Sequence, residues 1–95
     1  MAQSTTIPIR IPTALREYCR NVSQLSTTAP DVRSMLAELE REQPRLYPNI
    51  CDETGAVRRH LNVFVNNASI RDGAGPATLL APGDVVTILT AVSGG

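Results

Sequence analysis

The chain contains no lysine and no tryptophan, and its nine basic residues, all arginine, balance nine acidic ones. A formal charge of zero argues against holding nucleic acid by counter-charge, because such domains concentrate surplus Lys and Arg. Without lysine there is no side-chain amine on which copies of the chain could be linked to one another. No apolar run approaches the roughly 20 residues that a membrane span requires. The polar start, Met1-Ala2-Gln3-Ser4, has no signal-peptide character, so a cytoplasmic location is expected. Cysteine is scarce too: Cys19 and Cys51 stand far apart, belong to no metal-like cluster, and read as reduced structural thiols. Two cysteines also fall short of the four that a 2Fe–2S electron carrier needs.

Catalytic patterns are equally thin. The single histidine, His60, follows Arg58 and Arg59 with no nucleophile or carboxylate partner placed by sequence, and is expected at the surface near a strand end. There is no GxSxG, no GxxxxGK[ST] and no ligand set for a metal. Gly73-Ala74-Gly75-Pro76 bears glycines as a phosphate loop does, but reads as a turn. No catalytic residue and no metal-binding residue is assigned, and no bound cofactor is expected.

What the 95 residues do contain is an ordinary hydrophobic share, 42%, carried by Val, Leu, Ile and Ala, with Tyr18, Tyr47 and Phe64 the only aromatics. That suits one small sheet covered by one helix. Residues 5–11 alternate, with Ile7, Ile9 and Ile11 on one side and Thr6, Pro8 and Arg10 on the other, as in a half-buried strand. Residues 18–21 read as a polar turn and 22–28 as a second strand. The helix is expected at about 29–43: Thr28 precedes Pro30 and Asp31, and Val32, Met35, Leu36 and Leu39 form one apolar stripe. Pro44 ends it, and 45–59 reads as a loop. Residues 60–66 alternate again, Asn66 and Asn67 turn the chain, and Ile70 begins a short fourth strand. Thr78 to Leu80 reads as one helical turn, and Pro82-Gly83-Asp84 leads into a last strand over 85–90. The order strand, strand, helix, strand, short strand, strand gives an α+β domain with a mixed sheet of four to five strands and one main helix. The expected organisation is a domain over 1–90 and a flexible tail over 91–95.

The end of the chain is the distinctive feature. Ala91, Val92, Ser93, Gly94 and Gly95 leave directly from a strand, and five extended residues reach about 17 Å. Glycine lacks a Cβ, so Gly94 and Gly95 can enter a narrow slot. The α-carboxylate, ionised at neutral pH, can attack an activated phosphate.

Joined to this strand pattern, the terminal Gly-Gly resembles the β-grasp sulfur carriers of the ThiS and MoaD family, relatives of ubiquitin. The stretches RRHLNVFVNNASIR (58–71) and GDVVTILTAVSGG (83–95), with I-P-T-x-L-R at 11–16, look most like the CysO-type carriers of cysteine biosynthesis. Val92-Ser93-Gly94-Gly95 also matches MoaD letter for letter, although MoaD often has Pro-Pro where this chain has Thr90-Ala91. The resemblance implies that Gly95 is adenylated by an E1-like enzyme of the MoeB/ThiF type using ATP and Mg²⁺, then converted to a thiocarboxylate. It implies that Ala91 to Gly94 insert in the partner's site, and that the chain is a cosubstrate rather than an enzyme. The acceptor would be a pyridoxal-phosphate cysteine synthase, followed by a metallopeptidase. The alternatives are the large subunit of molybdopterin synthase, a thiamin-type pathway, or, in another class, protein conjugation of ubiquitin type. A plain interaction domain with an accidental Gly-Gly end is the remaining reading.

Partner recognition is expected on the sheet face away from the helix. Burying Val63 and Val65 directs Phe64 outward, and burying Val86 and Ile88 exposes Thr87 and Leu89, so Phe64, Thr87 and Leu89 would make a small patch beside the tail. The alternative for Phe64 is a place under the 45–59 loop. Arg58, Arg59 and Arg71 would form a basic rim for acidic partners, or simply a solvated edge.

Overall fold

The computed structural model describes residues 6–90. Five strands form one sheet: β1 (Ile7–Arg10), β2 (Gln24–Thr27), β3 (Leu61–Val65), β4 (Ala68–Ser69) and β5 (Val86–Thr90). Their spatial order is β2-β1-β5-β3-β4. β1 and β5 run parallel, and the other neighbours are antiparallel. The helix α1 (Val32–Glu42) covers one face, giving a β-grasp fold. Strand alternation builds the core from β1 (Ile7, Ile9), β3 (Leu61, Val63, Val65) and β5 (Val86, Ile88), against the α1 stripe Val32, Met35, Leu36 and Leu39; all are buried.

Several boundaries differ from the sequence reading. α1 starts at Val32 because Asp31, not Thr28, is the cap: its carboxylate accepts the Ser34 N–H at 2.8 Å. Pro30 therefore lies outside the helix, where its carbonyl accepts the Leu80 N–H. The polar turn expected at 18–21 is the end of a longer 3₁₀ helix, Thr13–Cys19, which buries Leu15 and Cys19 before Arg20 and Asn21 turn with positive φ. The loop expected over 45–59 contains the short helix α2 (Tyr47–Ile50), with Pro48 in its first turn, where a missing N–H costs nothing. Leu46, Ile50 and Cys51 from this region are buried.

The turn after β3 closes within two residues, Asn66 adopting φ 58°, so pairing resumes at Ala68 opposite Val65. Ile70, expected to start the fourth strand, instead begins a 3₁₀ turn and is buried. Helical geometry falls on Gly75–Ala77 rather than on 78–80. The latter run is extended, with the Thr78 carbonyl accepting the Val32 N–H and Leu79 bridging Asp31. The turn before β5 forms as expected: Gly83 takes φ 96°, and the Asp84 N–H donates to the Ala81 carbonyl. No helix among the described residues is long and apolar enough to cross a membrane.

Candidate functional site

The described part of the expected site is the open face of the sheet where β5 ends. β5 is the central strand, flanked by β1 and β3, and Thr90 pairs with Leu61 at the start of β3. Ala91, Val92, Ser93, Gly94 and Gly95 lie outside the described residues, so the structure places the root of that segment and not the segment itself. β5 is held by β1 and β3 at Val86 and Thr87, and by β3 alone at Ile88 to Thr90.

Register decides which side chains meet on this face. Thr87 pairs with Phe64 on one side and Arg10 on the other, and Leu89 pairs with Asn62. Phe64 and Thr87 are half-buried, whereas Leu89 is 46% exposed despite its central strand. A shallow hollow of about 300 Å³ is lined by Phe64, Asn66, Asn67, Thr87 and Leu89. A second, of about 330 Å³, lies toward β1 and includes Arg10, Pro12, Arg16, Thr87 and Leu89. Leu89 and Thr87 wall both hollows, so Leu89 forms a ridge between them.

Polar contacts stiffen the frame around this face. The Asn66 side chain donates to Asp84 at 3.0 Å and accepts the Val85 N–H at 3.0 Å, tying the β3–β4 turn to the start of β5. The Asn66 amide and then the Ala81 N–H stabilise the ionised Asp84 carboxyl and hold it below its ordinary 3.8. The Ser69 hydroxyl donates to Asn62 at 2.7 Å and accepts the Arg71 N–H, which fixes β4 against β3.

The expected basic rim divides into two kinds of residue. Arg71 donates to the carbonyls of Arg58 and Arg59, and Arg58 donates through Nε to the Pro48 carbonyl at 2.7 Å. These two arginines thus hold the segment preceding β3 in place. Arg59 is exposed, and its guanidinium makes no hydrogen bond among the described residues. The segment that Arg58 and Arg71 hold leads into Leu61, the partner of Thr90.

Arg10 and Arg16 were not assigned to the site from sequence, yet both line the hollow beside Leu89. The Arg16 guanidinium is positioned by a 3.0 Å bond from Nε to the Ile11 carbonyl. Arg10 was legible as outward-facing from the β1 alternation. What was missing was the parallel pairing that sets β1 beside β5. Leu79, at 75% exposure, is the most exposed large apolar residue among those described, and lies in the segment bridging to Asp31 rather than on this face. His60 is exposed. Cys19 and Cys51 are free and buried, and desolvation pushes both thiols up, keeping them protonated at neutral pH.

Comparison with known proteins fits this arrangement. The chain is 32% identical over 91 residues to the sulfur carrier protein CysO of Mycobacterium tuberculosis, covering 94% of this chain and 98% of that one. The crystal structure of M. tuberculosis CysO matches with a TM-score of 0.82 at 31% identity, over 90% of this chain and 99% of the other. The Amycolatopsis orientalis BexX/CysO complex contains a chain matching with a TM-score of 0.83 at 27% identity, over 94% and 99%. Small archaeal modifier protein 1 of Methanosarcina acetivorans matches with a TM-score of 0.78 at 27% identity, over 98% and 100%. The model of the ThiS family matches residues 9–95, from β1 through the terminal Gly-Gly, and the chain belongs to that family.

Proposed function

We propose that this protein is a sulfur carrier whose chemistry takes place on the carboxylate of Gly95. An E1-like enzyme of the MoeB/ThiF type, using ATP and Mg²⁺, joins the carboxylate to AMP and releases pyrophosphate. Sulfide then attacks the acyl carbon and displaces AMP, leaving a thiocarboxylate. Where a persulfide attacks instead, the acyl disulfide it forms is cleaved by a thiol reductant, which leaves as a disulfide with the donor sulfur and frees the thiocarboxylate. The observation that carries this reading is the family match, which extends through residue 95 and so includes the Gly-Gly itself. The placement of β5 supports it, since a strand anchored between β1 and β3 at its start and paired with β3 through Thr90 gives whatever follows it a firm base. The buried, protonated thiols fit a carrier that holds sulfur on its carboxylate rather than on cysteine.

Similarity to CysO along nearly the whole chain favours cysteine biosynthesis. There the acceptor is a pyridoxal-phosphate cysteine synthase, and a metallopeptidase releases the product; molybdopterin synthase and a thiamin-type pathway are the alternatives. Docking onto the activating enzyme uses Phe64, Thr87 and Leu89, with Arg59 in the rim. The BexX/CysO complex, in which a related carrier is bound to another protein, supports a docking role for this kind of chain.

A second reading, protein conjugation through Gly95, is favoured by the likeness to the archaeal modifier protein. One experiment separates the two. Intact mass is measured after incubation with the host's activating enzyme, ATP and sulfide, and in host extract. A carrier gains the mass of one oxygen-to-sulfur exchange. A conjugation tag appears instead in high-mass covalent adducts, and a chain showing neither contradicts both readings.

A further inference from the structure

The two edges of the sheet are built differently. β4 ends one edge after two residues, Ala68–Ser69, too short to template another strand. β2 forms the other edge with four residues, Gln24-Leu25-Ser26-Thr27, containing no charge and no proline. Natural edges are ordinarily blunted by such features. The hydrogen-bond phase of this edge follows from the β1–β2 ladder. The Ile11 N–H donates to the Ser23 carbonyl, so the pairs Ile9–Leu25 and Ile7–Thr27 share that bonded phase. Pro8, which has no N–H, correspondingly sits opposite Ser26 in a non-bonded pair. Gln24 and Ser26 therefore direct their backbone N–H and C=O groups away from β1, off the edge of the sheet.

Beside that edge, between β2 and α1, lies a groove of about 380 Å³ lined by Gln24, Leu25, Ser26, Glu38, Leu39, Glu42 and Gln43. Its apolar floor comes from Leu25 and Leu39, which also pack into the core. Its helix wall is acidic. Glu38 accepts the Thr27 hydroxyl at 2.7 Å, which leaves its other oxygen available, and Glu42 is exposed, with one 3.4 Å contact to the neighbouring Arg41.

We propose that this groove receives an extended segment of a partner protein, with alternating apolar and basic residues, which adds to the sheet as a sixth strand beside β2. The partner's backbone would bond to Gln24 and Ser26. One apolar side chain would rest on Leu25 and Leu39, and a Lys or Arg would face Glu38 and Glu42. Charge selects this occupant over a second copy of the chain: antiparallel β2–β2 pairing would bring no basic residue in β2 to either acidic wall. The groove lies on the opposite edge from β4 and takes no part in the proposed tail chemistry, so both sites can be occupied together.

The test uses the full chain, ¹⁵N-labelled, titrated with an unstructured Val-Arg-Val-Arg-Val peptide and with its Val-Glu-Val-Glu-Val counterpart. The expected result is shifts confined to residues 24–28 and 38–43 with the basic peptide, at least tenfold weaker binding of the acidic one, and weakening with added salt. Glu42→Arg, at an exposed position, should reduce the affinity at least tenfold. Ser26→Pro, which removes an outward N–H, should do the same, with the remaining amide spectrum showing that the fold persists. Absence of shifts, shifts centred on Phe64 and Leu89, equal binding of both peptides, or concentration-dependent pairing of the chain with itself at β2 would each overturn the proposal.

Discussion

Leu89 sits in the middle strand of the sheet yet leaves nearly half of its surface, 46%, in water. A central-strand leucine left that open gains only part of what burial offers, whereas covering it with a partner would remove the remaining apolar area from water. Phe64, one strand away, supplies the flat half-buried floor beside it. Leu89→Asp and Phe64→Ala are each expected to weaken binding to the activating enzyme at least tenfold, about 1.4 kcal/mol, by titration calorimetry. Leu89→Asp should leave the melting temperature nearly unchanged, because its side chain points out of the core. Unchanged affinity in both variants would remove this face from the account. Residue-scale titration makes a separate prediction. Asp84 is held below its ordinary 3.8 chiefly by the Asn66 amide, Asp31 by the Ser34 N–H and Asp52 by the Thr54 hydroxyl. A carboxyl whose folded value is depressed adds stability above its unfolded value and loses it as pH falls through the folded one. Denaturant midpoints should therefore be flat near neutrality and begin to fall near pH 3.8, continuing downward below it. Asp84→Asn should make that acid slope shallower; an unchanged slope would mean the Asn66–Asp84 bracket contributes nothing.

Among the elements, those with strong alternation or a full helical stripe were legible in the sequence. β1, β3 and β5 each bury the predicted side, and α1 buries the four residues of its stripe. β2 also falls within the expected 22–28, but the short helical turns were not legible, because what decides them is tertiary. α2 forms around Pro48 and Asn49, which act as breakers elsewhere, since Leu46 and Ile50 find places in the core. The start of α1 was misjudged by a few residues because Thr28 and Asp31 are both good caps, and only the bond from Ser34 distinguishes them. Thr27 had a second task in any case: its hydroxyl accepts the Ala29 N–H and donates to Glu38, joining β2 to α1. Asp31→Ala is expected to cost about 1 kcal/mol, the usual value of a helix cap. In a domain of this size that corresponds to a fall of roughly 4–8 °C in melting temperature. A thermal melt indistinguishable from the parent would show that Asp31 is not the cap that matters. On the candidate face, Phe64, Thr87 and Leu89 were readable from strand parity, while Arg10 and Arg16 depended on which strands are neighbours, and alternation carries no information about that.

At the scale of the molecule, a net charge of zero conceals an uneven distribution. α1 carries both signs, Glu38, Glu40 and Glu42 with Arg33 and Arg41. Arg10 and Arg16, however, line the hollow beside Leu89 with no acidic residue among its lining, and Arg58 and Arg71 hold the segment that leads into Leu61, the partner of Thr90. The partner that takes hold of the C-terminal segment is therefore expected to present acidic residues around its slot, with association that slows as salt rises. The sheet order β2-β1-β5-β3-β4 gives this arrangement its logic: the last strand is central, so whatever follows Thr90 leaves from a strand rooted in the middle of the sheet and paired with β3 to its end. The central claim is that the Gly95 carboxylate is the reacting group, and ATP–pyrophosphate exchange in the presence of the activating enzyme reads it most directly. The parent chain should support exchange, while variants lacking Gly95 or carrying one extra residue after it should support none and still melt at the parent's temperature. Exchange by the extended, untrimmed variant at the parent's rate would contradict the account.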